Sequence, residues 1–178
     1  DVRIGDPVRA ILLGVIDTVN QQTISRENLG QGLLSYGRAL SFAGLYALAC
    51  DVFASADRAA GAPANPWLSV EANIGHGSAA RKMVDWATSA DAYARAAHIA
   101  NTVGDVPGML RVDVGVANNH FARGNLPAAE SLLDNVIEQA GTAGYKDVLG
   151  LALHSRASVA HLRGEYADAV RLGHEALE

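Results

Sequence analysis

The chain has 178 residues, of which 49% are hydrophobic, 19% charged and 6% aromatic, so it is too apolar for a disordered chain and too often interrupted by charge for a membrane span. Its formal net charge is −5 and its 14 Lys and Arg are scattered, which excludes the basic stripe that direct nucleic-acid binding requires. We therefore expect a soluble protein with neither a nucleic-acid nor a membrane partner. The single cysteine, Cys50, excludes an internal disulfide and favours a reducing compartment, so we expect the cytoplasm.

Helical patterns cover nearly the whole chain. Apolar residues recur at intervals of three and four, for example through 86–100, and form one stripe on a helix. Asp6 and Asn65 each precede a proline, which is a helix start signal, while Gly104 and Gly144 are stop signals. The pattern predicts nine helices, at about 7–20, 26–43, 46–60, 66–83, 86–102, 107–123, 126–141, 146–163 and 166–177.

These helices repeat with a period of about 40 residues, because residues of similar size recur at that spacing. A small residue in the first helix of each unit should let the second helix cross closely, and the bulky residue after the turn should fill the space beside the crossing. The aligned columns are Gly37, Gly77, Ala117 and Ala157; Gly44, Val84, Gly124 and Gly164; Tyr46, Trp86, Leu126 and Tyr166; Ala49, Ser89, Ala129 and Ala169; and Phe53, Tyr93, Leu133 and Gly173.

This pattern resembles the tetratricopeptide repeat (TPR) family, and Gly37, Gly44, Tyr46, Ala49 and Phe53 carry the resemblance best. The family's usual period is shorter, at about 34 residues, so the longer units look like the extended repeats of kinesin light chains and of maltose-activator-type bacterial regulators. The resemblance implies an all-α, right-handed solenoid of helical hairpins. HEAT repeats, which have periods of about 40 residues, are the structural alternative.

The repeat divides the chain into one array. Its parts are a partial unit at 1–29, full units at 30–69, 70–109 and 110–149, and a partial unit at 150–178. We expect the chain to be a fragment of a larger protein. An uncapped end of such an array exposes apolar surface, which predicts that a homodimer could form there.

The resemblance also implies a function, namely a non-enzymatic protein- or peptide-interaction module of a bacterial regulatory or signalling protein, with no cofactor. The alternative is a sensor domain whose small-molecule ligand controls an attached output domain. In the family, the first helix of each hairpin lines the binding groove. Cations there would pair with ligand carboxylates and aromatic residues would anchor apolar groups. The candidate groove residues are Arg38, Phe42, Arg81, Lys82, Arg111, Asn118, Phe121, His154 and His161.

Two more specific chemistries are not supported by the sequence. Some TPR proteins hold a terminal carboxylate with a Lys and an Asn four residues apart, but Val114 stands four residues before Asn118. His154 and His161 share a helix face, yet seven residues separate them by about 10 Å along the axis. They are too far apart to bind one metal ion together. We therefore predict no catalytic, cofactor or metal site.

Overall fold

A computed structural model describes residues 25–177, and these residues form eight α-helices without a β-strand. Their ends lie within two residues of the predicted ends, and the predicted helix at 7–20 lies outside the described residues. The helices are α1 (Arg26–Phe42), α2 (Tyr46–Ala60), α3 (Pro66–Lys82), α4 (Trp86–Val103), α5 (Val106–Ala122), α6 (Leu126–Ala143), α7 (Lys146–Arg163) and α8 (Tyr166–Glu175).

Consecutive helices pack as antiparallel pairs, which confirms the all-α helical-repeat solenoid. The first helices of the hairpins, α1, α3, α5 and α7, also contact one another in series. Among the described residues, no second helix makes comparable contact with the next second helix. The first helices are thus the more closely spaced row, and the more closely spaced row of a stacked array lies on its inner side. We call this row the inner face and the row of second helices the outer face.

The turn that ends each first helix recurs at the spacing that the sequence predicts. Gly44, Gly124 and Gly164 have φ between 76° and 80°, and Val84 occupies the same left-handed position with φ 64°. At each turn the N–H of the next residue donates to the carbonyl oxygen five residues earlier, at 2.9 to 3.0 Å. This bond closes a Schellman cap. Val84 is the one non-glycine residue with positive φ in the described part of the chain.

Aromatic rings occupy the crossing points of the first two hairpins. The ring of Phe53 on α2 lies so close to α1 and α3 that a Cβ on Gly37 or Gly75 would come within 2.7 Å or 2.5 Å of it. Tyr93 on α4 lies in the same way against Gly77 on α3 and Gly115 on α5. Glycine is therefore required at these positions because the helices leave no room for a side chain.

In the third hairpin, both the large side chain of the second helix and the small residues of the first helices that it contacts are different. Leu133 stands in the column of Phe53 and Tyr93, and the equivalent small positions hold Ala117 and Ser155 instead of glycine. Leu133 and Ala117 are fully buried in one core cluster. A smaller side chain on the second helix thus accompanies larger residues on the first helices.

The sequence pattern predicts that the bulky residue after each turn fills the space beside the helix crossing. The structure shows that this prediction is wrong. Tyr46, Trp86 and Leu126 are only half-buried and Tyr166 is exposed, so this column borders the core. The side chains that fill the crossings come instead from the column of Phe53, seven residues further along each second helix.

Replacing Val84 by Gly should stabilise the protein by about 1 kcal/mol, because a Cβ in the left-handed region costs about 1–2 kcal/mol and glycine loses part of that gain to backbone entropy. Urea unfolding followed by circular dichroism measures the change. The matched control, Gly124→Val, should destabilise the protein. A loss of stability in Val84→Gly would contradict the interpretation of this turn.

Gly115→Ser should destabilise the protein by about 1–3 kcal/mol, because the added side chain collides with the ring of Tyr93. In a Tyr93→Leu background, which reproduces the third hairpin, the same substitution should cost at least about 1 kcal/mol less. A double-mutant cycle of unfolding free energies measures this coupling. Additive effects would show that the ring and the glycine are not matched to each other.

Candidate functional site

The two rows of helices carry opposite charge. The first helices hold eight Lys and Arg against four Asp and Glu, which gives a formal charge of +4. The second helices hold three Lys and Arg against eight Asp and Glu, which gives −5. The net charge of the whole chain conceals this separation, which is partly neutralised where Arg156 and Arg163 of α7 pair with Glu130 of α6.

Three charged residues from three successive first helices meet on the inner face. Glu71 on α3 accepts from Arg38 on α1, with Nη2 and Oε2 2.7 Å apart, and its Oε1 lies 3.0 Å from Nε of Arg111 on α5. The Glu71 side chain is 12% exposed, and those of Arg38 and Arg111 are 56% and 24% exposed. The structure thus brings two of the predicted site residues, Arg38 and Arg111, together through the carboxylate of Glu71.

A second cluster of predicted residues lines an open pocket of about 400 Å³ at the far end of the array. The ring of His161 meets that of Tyr166 edge to face, with centroids 5.5 Å apart. The fourth hairpin has Gly173 where the others have a large side chain, so Ala157 is only half-buried whereas the equivalent Ala117 is fully buried. The lining residues are Phe121, His154, Ala157, Ser158, His161, Leu162, Tyr166, Ala169 and Val170.

The other predicted residues do not join either cluster. Phe42, which is 97% exposed, and Lys82, also exposed, occupy the last positions of α1 and α3, at the turn end of the inner face. Asn118 is half-buried on α5. Arg81 is half-buried near the C-terminal end of α3. Burial raises the pKa of Tyr93, and the nearby positive charge of Arg81 opposes that increase.

Sequence reasoning missed two parts of this site. Glu71 and Arg111 occupy equivalent positions of two successive repeats and carry opposite charges. This difference in charge was the signal that could have identified the ion pairs of Glu71. Tyr166, Ala169 and Val170 belong to a second helix, so a rule that assigns the groove to first helices does not select them.

The comparisons with known proteins do not assign this site. No protein-family model matches the chain, and no curated protein matches it either. Between residues 25 and 177, none of the helices is both long and apolar enough to cross a membrane.

Cys50 is the one cysteine of the chain, and it lies away from both clusters. Its side chain is buried, and Sγ lies 3.9 Å from the carbonyl oxygen of His76, within reach of a weak S–H donation. Burial raises the pKa of the Cys50 thiol to about 11, with smaller contributions from nearby Asp51 and Asp85. Almost none of the reactive thiolate is present at neutral pH.

A thiol reagent should therefore modify native Cys50 at pH 8 at least about 100-fold more slowly than the urea-unfolded chain, because pKa and burial both oppose attack. Absorbance of the released thionitrobenzoate measures both rates. Equal rates would show that Cys50 is accessible and ionised in the folded protein.

Proposed function

We propose that the protein is a non-enzymatic protein- or peptide-interaction module whose inner face binds an acidic polypeptide segment. The observation that carries this proposal is the charge of +4 on the first helices opposite −5 on the second helices. Opposite charge between a surface and its partner speeds encounter and disfavours partners of the wrong sign. The exposed side chains of Arg38 and Lys82 are available to pair with ligand carboxylates.

The pocket beside Phe121 supports a ligand that is a polymer rather than a small molecule. It is an open groove with mostly apolar walls, whereas sites for small molecules usually enclose most of the ligand surface. An apolar side chain of the bound segment would enter between His154 and His161, while acidic side chains on the same segment meet the cations of α1 and α3.

The biological setting is also part of the proposal. The long repeat period and the small residues at the crossings support an extended TPR-type array within a bacterial regulatory or signalling protein. The single, buried thiol of Cys50 supports a cytoplasmic location.

The test is a titration of the protein with a fluorescent, capped octaglutamate peptide at low ionic strength, with octalysine as the control peptide. Octaglutamate should bind, octalysine should not, and added salt should weaken binding. The double variant Arg38→Gln/Lys82→Gln should bind about tenfold more weakly, because it removes two charges from the inner face.

The matched control is Arg58→Gln/Arg171→Gln, which removes two exposed cations from the outer face. It should keep most of the affinity. If both double variants lose affinity equally, or if octalysine binds instead, the inner face is not the binding surface.

A further inference from the structure

Glu71 is an unexpected residue at the centre of a basic face. Its carboxylate is largely removed from water, which costs free energy, and its negative charge opposes the binding of an acidic ligand. If net charge alone governed this face, a neutral residue at position 71 would serve better. The contacts of Glu71 indicate what it contributes instead.

Glu71 divides its two oxygens between two helices. Oε2 pairs with Arg38 and Oε1 with Arg111, and each pair uses one nitrogen of the guanidinium group. A guanidinium has five N–H donors in a rigid, planar fork. The hydrogen bond from Arg38 and the ion-pair contact of Arg111 therefore restrict the orientation of each fork. Arg38 and Arg111 are partly exposed, so part of each side chain is accessible to a ligand.

We propose that Glu71 is a positioning residue, which holds Arg38 and Arg111 so that their remaining N–H groups receive carboxylates of the bound segment. This inference rests on the proposed function and adds a specific recognition element to it. The ligand chemistry is that of Asp and Glu side chains, whose carboxylates accept two parallel N–H donors from one guanidinium.

The substitution Glu71→Gln separates this proposal from two simpler explanations. If only charge matters, the substitution removes a negative charge from the inner face and octaglutamate binds more tightly. If Glu71 only stabilises the packing of α1, α3 and α5, the free energy of unfolding falls but the affinity of the folded protein does not change. If Glu71 positions the arginines, the affinity of the folded protein falls although the face has become more positive.

We expect Glu71→Gln to weaken octaglutamate binding at least about fivefold, because each arginine regains its rotamer freedom before binding. The matched control is Glu138→Gln, which removes one exposed carboxylate from α6 on the outer face. It should leave the affinity unchanged or slightly increased. Thermal unfolding of both variants is measured alongside, so that the affinity refers to folded protein.

A second variant decides the outcome if Glu71→Gln does not fold. Arg38→Lys keeps the charge on a half-exposed side chain but replaces the rigid fork by a flexible ammonium group. It should also weaken binding at least about fivefold. Wild-type affinity in Arg38→Lys, or tighter binding in Glu71→Gln, would overturn the positioning role and leave the proposed function standing. Failure of the wild-type protein to bind octaglutamate would overturn both.

Discussion

The structure depends on one repeated contact, in which a large side chain of a second helix lies against small residues of two neighbouring first helices. Phe53 makes this contact with Gly37 and Gly75, and Tyr93 makes it with Gly77 and Gly115. Because no Cβ fits beside either ring, the contact holds each second helix close to the first helices on both sides. The first helices then also meet one another and form the inner face.

The charged cluster of the inner face follows from the same approach of the helices. Glu71 lies four residues before Gly75, and Arg111 lies four residues before Gly115, so each charged residue is one turn away from a crossing point. Side chains of this length reach across helices only when the helices pack closely. The glycines of the core and the ion pairs of Glu71 are therefore two consequences of the same spacing.

The sequence predicts the helices well because their ends depend on local signals. Asn65 caps α3 by accepting from the N–H of Leu68, and Gly104 and Gly144 end α4 and α6 in the left-handed region. The repeat even identifies Val84 as a turn residue that lacks the usual glycine. The site is less predictable, because the bridge through Glu71 and the wall that Val170 adds to the pocket depend on contacts between helices. Spacing within one helix does not contain that information.

The central claim is that the inner face formed by these contacts is the surface that binds an acidic segment. Backbone amide chemical shifts of the isotopically labelled protein, recorded during titration with octaglutamate, test this claim most directly. We predict that the shifted amides lie on the inner face, in α1, α3, α5 and α7. Shifts concentrated in α2, α4 and α6 on the outer face, or no shifts at all, would contradict the account.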